Sequence, residues 1–304
     1  MNLEILKAFV MDLVLPSFLI VRVVLGNFIS TGEWLCMSLG AGSYGLYAFV
    51  TGGWDVWGYR VRDVMLTVLI LAVVSSFVGA KNLNPIMTIG VKGWLGIVFF
   101  FIFSPLAFFA FRGRKLRGTG IDLGFPLKNG LYHVAQGGSN ILVNVHYANR
   151  RQRFALDIVK LGRLGMRAKG ILPKRLDKYS IFGETVYSPI DGTVVKVENN
   201  QPDLTPPKMD KDRRLGNYVV LRSESASAYV FLVHLQQRSV LVREGDTIQQ
   251  GKPLAKVGNS GNSSEPHLHV HATTAVNDTF ESVGESIPLL FGARFLKRND
   301  VVRC

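Results

Sequence analysis

Histidine, cysteine and charge are all scarce in the first third of this 304-residue chain. Residues 1–111 contain no histidine, six basic residues and five acidic ones, whereas residues 112–304 carry the other 29 basic and 17 acidic residues. The whole chain has two cysteines, Cys36 and Cys304, too few for the disulfide framework of a small secreted protein. This uneven composition excludes a single soluble domain, a disordered chain, a coiled coil and a collagen. We therefore expect two parts of different character, joined near Arg112.

Long uncharged runs dominate the first part. Residues 93–111 and 64–80 contain no charge, and residues 34–54 form a third uncharged run that is rich in glycine and serine. About 20 apolar residues cross the hydrocarbon core of a bilayer. A fourth apolar run, 8–26, carries one acidic and one basic residue near its ends. We therefore predict an α-helical transmembrane region over residues 1–111 with four spans, or three if the fourth run lies at the membrane interface.

The second part has the pattern of a β-rich domain. Short alternating runs are separated by turn sequences such as Asp191-Gly192, which is typical of a compact β sandwich or barrel. One helical stretch is expected around residues 158–167. We divide this part into a basic linker at 112–129, a domain at 130–275 and a C-terminal extension at 276–304. The alternating runs are 192–197, 217–222, 228–234, 239–243, 253–257 and 267–271.

The most informative segment for chemistry is HLHVH at 267–271. In a strand, alternate side chains share a face, so His267, His269 and His271 are expected on one side, with Leu268 and Val270 on the other. Three crowded imidazoles repel one another when protonated, but they are stable when neutral and bound to a metal. The alternative is the solvated polar face of an edge strand. We favour a metal site.

Further ligands must come from elsewhere in the chain. Asp157 is a carboxylate in the apolar segment QRFALDIV, and a buried carboxylate needs a hydrogen-bond donor or a metal. It could instead cap a helix or pair with Arg153. His146 and His234, each taken alone, are equally consistent with hydrogen-bonded core histidines.

Several motifs together resemble the lysostaphin-type zinc metallopeptidases, the LytM-like peptidoglycan endopeptidases. The resemblance extends over about 130–275 and is most specific in its last part. It implies an all-β fold built from a duplicated hybrid motif, with one zinc ion per chain. The matching segments are GNYVVL at 216–221, VHL at 233–235, VREGDTIQQGKPLAKVGNSG at 242–261 and EPHLHVH at 265–271.

The resemblance also implies a ligand set. The family binds zinc through a histidine and an aspartate spaced H-x-x-x-D, and through the second histidine of H-x-H; Asp157 and His269 match two of these positions. Arg153 stands where the first histidine is expected, and a protonated guanidinium cannot bind zinc. His146 is the nearest histidine before Asp157, so we predict His146, Asp157 and His269 as the zinc ligands.

The catalytic assignments follow from the same resemblance. His234 and His267 match the two family histidines that polarise the attacking water and stabilise the oxyanion. His271 stands where the family often has an acidic residue. Residues i and i+2 of a strand lie about 6.6–6.8 Å apart, which argues against chelation by both His269 and His271. The role of His133 stays open.

The predicted function is that of a membrane-anchored zinc metalloendopeptidase that cleaves peptide cross-links or stems of peptidoglycan. Peptidoglycan or another peptide is the expected substrate, envelope proteins are candidate partners, and nothing except charge suggests nucleic acid. One alternative is a non-hydrolytic regulatory or scaffold domain, which the Arg153 departure motivates. A less favoured alternative is a hybrid-fold carrier or phosphotransferase module, although no lysine stands at an evident hairpin tip.

The expected location is the inner (cytoplasmic) membrane, with several spans and an extracytoplasmic catalytic domain, because the expected substrate lies there. A basic cluster after the last apolar run opposes this orientation under the positive-inside rule, although long domains can be translocated regardless of charge. The cluster consists of Arg112, Arg114, Lys115 and Arg117.

Overall fold

The chain forms two compact units, Met1–Arg112 and Gly113–Cys304. This computed structural model describes residues 3–80, 83, 88–116, 118–277 and 282–304, so Arg117 of the basic cluster lies outside the described residues. The division falls next to the predicted change of character at Arg112.

The regular elements of the N-terminal unit are helices, and they cover most of each of the four apolar runs. Helices α5 and α6 are long and apolar enough to cross a membrane. Helix α3 is of similar length, but its glycine, serine and tyrosine residues make it less apolar. The helices are α1 (Leu3–Phe9), α2 (Leu15–Val24), α3 (Thr31–Thr51), α4 (Trp54–Trp57), α5 (Val61–Ala80) and α6 (Val91–Arg112), with a π-helical segment at Val10–Val14.

Helices α3 and α6 approach each other closely at two glycines. A Cβ atom on Gly40 would lie 2.3 Å from the carbonyl oxygen of Gly96, and a Cβ atom on Gly96 would lie 2.3 Å from the carbonyl oxygen of Cys36. Small residues at a helix crossing allow such backbone contact. This crossing therefore has no room for a side chain at either glycine.

We expect Gly96→Leu to force α3 and α6 apart. Overpacking of this kind costs about 1–3 kcal/mol, so the thermal midpoint of the full chain in detergent should fall. Gly42→Ala is the matched control in α3, because no atom lies within 4 Å of the position that its Cβ would take. An unchanged midpoint for Gly96→Leu would contradict the close crossing.

The C-terminal unit is mostly β, as predicted, with short 3₁₀ helices at Val145–Ala148 and Leu176–Lys178. Its main sheet has nine strands in the order β14-β2-β3-β10-β7-β6-β5-β8, with β11 also paired to β10; β1-β12-β13 and β4-β9 form smaller sheets. The strands are β1 (Ile121–Leu123), β2 (Leu131–Gln136), β3 (Leu156–Lys160), β4 (Thr185–Tyr187), β5 (Gly192–Glu198), β6 (Asn217–Ser223), β7 (Tyr229–Leu235), β8 (Thr247–Ile248), β9 (Pro253–Lys256), β10 (Leu268–Thr273), β11 (Ser286–Ile287), β12 (Leu289–Phe291), β13 (Arg294–Phe295) and β14 (Val301–Arg303).

The structure corrects two predicted boundaries and one predicted element. The expected linker 112–129 contains β1, which pairs with β12 of the expected extension 276–304, and β14 of that extension pairs with β2. Both segments therefore belong to the folded unit. The helix expected around 158–167 is wrong, because residues Leu156–Lys160 form β3 between β2 and β10. Pairing with β2 and β10 outweighs the local sequence pattern and makes this segment a strand.

Strand alternation places the site on one face of the main sheet. Leu268 and Val270 of β10 lie in the main hydrophobic core, as predicted, while His269 and His271 point to the opposite face. On the neighbouring β7, Phe231 and Val233 lie opposite these histidines in register. Both histidines are buried, so the solvated edge-strand interpretation does not hold.

Candidate metal centre

Asp157 lies at the middle of the histidine cluster. It is on β3, in register with His269 on β10. Its Oδ1 is 2.9 Å from Nδ1 of His269 and 3.5 Å from Nε2 of His267, and its Oδ2 is 2.9 Å from Nε2 of His146. One carboxylate therefore faces three imidazoles, two from the HLHVH segment and one from the turn at Val145–Ala148.

A capped 3₁₀ turn brings His146 to Asp157. The side-chain oxygen of Asn144 accepts a hydrogen bond from the backbone N–H of His146, at 3.1 Å. The amide nitrogen of Asn144 donates to the carbonyl of Ala155, at 3.0 Å, two residues before Asp157. Asn144 is fully buried. Its amide thus joins the turn that carries His146 to the strand that carries Asp157.

His234 reaches the site through a break in the β-strand pattern. The register of β6 and β7 pairs Asn217 with Leu235 and Tyr218 with Val233, so His234 is an extra residue. Its φ is 64°, in the left-handed region. Extra residues of this kind change the direction of a side chain. The imidazole of His234 therefore turns toward Ser260, and its Nδ1 lies 2.9 Å from the carbonyl oxygen of that residue.

His267 is held by the loop that precedes β10. Its Nδ1 donates to the carbonyl oxygen of Glu265, at 2.9 Å. The carboxylate of Glu265 forms two hydrogen bonds with Arg167, from Nε at 2.8 Å and from Nη2 at 2.7 Å. Arg167 is 4% exposed. A two-point ion pair between a buried arginine and a partly exposed glutamate therefore fixes the loop that orients His267.

Burial and charge together set the protonation of the site. Burial opposes ionisation of Asp157, but the charges of His146 and His267 and hydrogen bonds from His146 and His269 hold its pKa well below the usual range. Burial lowers the pKa of His269 to about 4 and holds that of His234 well below the usual range. Burial also lowers the pKa of His146, but the charge of Asp157 and a hydrogen bond to it outweigh this effect and raise it.

The donor atoms fit a divalent transition metal. Two groups converge, namely His146, Asp157 and His269, and His234, His267 and His269, with the ligand atoms of each group within 4.8 Å of one another. Tetrahedral zinc ligands lie about 3.3 Å apart, because Zn–N bonds are about 2.0–2.1 Å long. Zinc requires neutral imidazoles beside an ionised carboxylate. The lowered pKa values of His269 and Asp157 favour these states, whereas the raised pKa of His146 means that a metal must displace a proton there. The predicted ligands and both predicted catalytic histidines thus lie together.

Two residues that the sequence analysis considered as possible ligands or partners belong to neither of the two donor groups. Nε2 of His133 is 3.1 Å from Oδ1 of Asn299, and His133 is in neither of the two donor groups formed by the described residues. The guanidinium of Arg153 lies 4.8 Å from the ring centroid of Tyr147, next to His146. It is His146, rather than Arg153, that faces Asp157.

Sequence reasoning missed the residues that orient the site histidines. Asn144, Ser260 and the pair Arg167–Glu265 act through hydrogen bonds rather than by direct contact with Asp157. Asn144 has a weak signal, since asparagine side chains commonly hydrogen-bond the backbone two residues further on in turns. For Ser260 the contact uses a backbone carbonyl, which no side-chain pattern reports.

A cleft of about 380 Å³ opens beside the histidines. His146, His234 and His269 line it together with neutral side chains such as Gln152 and Asn262. Amide side chains of this kind can pair with the backbone of an extended peptide. The cleft therefore provides space for a peptide next to the donor atoms.

Comparisons with known proteins agree with this arrangement at the level of the family. Residues 176–279 match the profile of peptidase family M23, and this segment includes His234, His267 and His269. A Haemophilus influenzae protein described as an uncharacterized metalloprotease is 30% identical over 142 residues. That match covers 46% of this chain and 27% of the relative, so the chain spans about a quarter of the relative's length.

Solved structures show only a distant likeness. A zinc-containing peptidase from Vibrio cholerae is 20% identical, with 50% of this chain and 37% of that chain covered and a TM-score of 0.31. The lysostaphin catalytic domain from Staphylococcus simulans is 20% identical, with coverages of 33% and 65% and a TM-score of 0.25. The SpoIIQ–SpoIIIAH pore forming complex gives 16%, with coverages of 56% and 89% and a TM-score of 0.33. These scores are too low to support any argument, and the assignment depends on the sequence match. Residues 176–279 therefore form a peptidase family M23 domain of the lysostaphin/LytM type.

Proposed function

We propose that this protein is a membrane-anchored zinc metalloendopeptidase that cleaves peptide cross-links or stems of peptidoglycan. The observation that carries the proposal is the convergence of His146, Asp157 and His269 beside His234 and His267. Three ligands with two further histidines beside them form the donor set of a hydrolytic site rather than a closed structural site.

The three ligands would hold zinc, and His234 would move a proton. Zinc, when bound, polarises the scissile carbonyl and lowers the pKa of water toward about 7. The carbonyl of Ser260 can only accept a hydrogen bond, so Nδ1 of His234 carries the proton and Nε2 keeps its lone pair. His234 is therefore placed to take a proton from the attacking water and to return it to the leaving amine.

His267 would complete the site as the hydrogen-bond donor to the oxyanion. Its Nδ1 is already engaged with the carbonyl of Glu265, which leaves Nε2 pointing toward Asp157. When the ring carries a second proton, Nε2–H can donate to negative charge that develops on the substrate oxygen. The pair Arg167–Glu265 keeps the ring in this direction.

The direct test measures zinc content and hydrolysis by the full chain in detergent. We expect one zinc per chain, and cleavage of purified peptidoglycan that a chelator stops and added zinc restores. Zinc without cleavage of any peptide would favour the non-hydrolytic regulatory or scaffold domain. Absence of zinc would overturn the metallopeptidase proposal.

Arg214 indicates the charge of the preferred substrate. Among the described residues that line the cleft, it is the only one with a permanently charged side chain. Its backbone is held in place, because the N–H of Asn262 donates to its carbonyl at 2.9 Å. A peptide with a carboxylate near the scissile bond would therefore gain an ion pair at the rim of the cleft.

We expect Arg214→Gln to raise KM for a peptide that carries this carboxylate by roughly 1.4- to fivefold, because an exposed ion pair contributes about 0.2–1 kcal/mol. KM for the matched neutral peptide should not change. Arg213→Gln is the control, since Arg213 does not line the cleft and its side chain donates to Gln201 at 2.6 Å. Equal effects of Arg214→Gln on both peptides would refute a role in charge selection.

We further propose that the N-terminal helices anchor the domain and that the domain faces the extracytoplasmic side. The length and apolar character of α5 and α6 support anchoring. The basic residues after α6 argue for the opposite orientation. Reporter fusions at Cys304 distinguish the two orientations. An active periplasmic-type phosphatase supports the proposal, whereas a fluorescent cytoplasmic reporter would exclude a peptidoglycan substrate.

A further inference from the structure

His271 is a fully buried histidine that neither the ligand set nor the proton transfers use. Its Nδ1 lies 3.1 Å from Nε2 of His269. Its ring stacks on Phe231, with centroids 4.4 Å apart and an angle of 13° between the planes. Within the described part of the chain, its own Nε2 has no hydrogen-bond partner. Its one polar contact is therefore with a predicted zinc ligand.

This contact and metal binding at Nδ1 together constrain where His269 keeps its proton. Without metal, Nδ1 of His269 donates to Oδ1 of Asp157 at 2.9 Å, because an ionised carboxylate can only accept, and a metal bound beside Asp157 would take the place of this proton. A neutral imidazole that uses Nδ1 as a ligand must carry its proton on Nε2. That proton points at Nδ1 of His271, which can accept it only if His271 carries its own proton on Nε2.

We propose that His271 is a positioning residue that, in the metal-bound protein, accepts the Nε2 proton of His269 and so holds that ring with Nδ1 toward the metal. This inference rests on the proposed zinc site. Metal-bound histidines generally donate their second N–H to an acceptor that sets their orientation, and loss of that acceptor typically lowers metal affinity by about 10–100-fold.

Packing against neighbouring side chains holds the ring of His271, and with it the acceptor atom Nδ1, in place. β10 and β7 pair His271 with Phe231 in register, so the phenyl ring covers one face of the imidazole. The neighbouring Val220 and Val233 are buried in the same small apolar cluster as Phe231. A ring held in this way cannot rotate freely, and its Nδ1 stays directed at His269.

The test compares zinc affinity, measured by competition titration of the full chain in detergent, across three variants. His271→Leu keeps an apolar side chain against Phe231 but removes the acceptor, and we expect zinc binding about 10–100-fold weaker. His271→Asn places an amide oxygen near the position of Nδ1, and we expect affinity within about threefold of wild type. Thr273→Val changes the next buried polar residue on the same face, which bonds to Ala275 instead, and should have no effect.

A spectroscopic readout makes the inference independent of the folding of any variant. In the zinc-bound wild type, ¹⁵N NMR of the imidazoles should show His269 protonated at Nε2. Protonation at Nδ1 would overturn the proposal, and so would unchanged affinity in His271→Leu. Equal losses in the Leu and Asn variants would indicate a purely structural role and would overturn it as well. A wild-type chain that binds no zinc at all would instead count against the proposed function.

Discussion

His146→Ala is expected to abolish tight zinc binding and hydrolysis together. Nε2 of His146 lies 2.9 Å from Asp157, and the two residues share one donor group with His269. Loss of a ligand should weaken binding by more than the roughly 10–100-fold that follows from loss of an outer-shell partner. The measurement is zinc content after dialysis, together with the rate of peptide cleavage.

Arg153→Ala is the matched control for this ligand assignment. Arg153 occupies the position four residues before Asp157, yet its guanidinium packs on Tyr147. We therefore expect the variant to keep zinc and most of its activity. If His146→Ala binds zinc as tightly as wild type, the ligand set is wrong and Arg153 marks a redesigned or inactive site.

His234→Asn is expected to keep zinc and to lose turnover. Asparagine tolerates the left-handed backbone that His234 adopts, with φ at 64°, so the strand break should persist. The amide cannot take a proton from water. We expect kcat to fall by about 10²–10⁴-fold, the usual contribution of a general acid–base group, while KM changes little.

The zinc content of His234→Asn shows whether turnover is lost because the proton acceptor is missing or because the zinc site is damaged. His234 is absent from the group formed by His146, Asp157 and His269, so stoichiometric zinc should remain in His234→Asn. Turnover within tenfold of wild type would mean that another group, with His267 as the first candidate, takes the proton. Loss of zinc would mean that His234 is a ligand.

The sequence predicted the arrangement of the site residues correctly where the local residue pattern alone determines side-chain direction. The alternation in HLHVH correctly placed His269 and His271 on the face opposite Leu268 and Val270, because side-chain direction in a regular strand follows from spacing. The distance between His269 and His271 that strand spacing predicts is longer than the distance between their ring nitrogens. Their nitrogens meet at 3.1 Å, because side chains on one face can lean together.

Local pattern failed where pairing between distant segments decides geometry. Residues 158–167 were expected to include a helix, but β2 and β10 hold Leu156–Lys160 as a strand that presents Asp157 to His269. The linker 112–129 and the extension 276–304 were expected outside the domain, yet they pair with each other and with the main sheet. Hydrogen bonds across such sequence distances leave no periodic signal in a short window.

By itself, the sequence determined the two-part character of the chain, the four apolar runs and the residue types available for a metal site. Only the tertiary structure decided that His146, eleven residues before Asp157, faces that carboxylate, and that His234 turns out of its strand toward Ser260. The first depends on the buried amide of Asn144, and the second on one extra residue in the pairing of β6 and β7. The direction of a side chain depends on backbone φ and strand register, and contacts made across the whole fold set both.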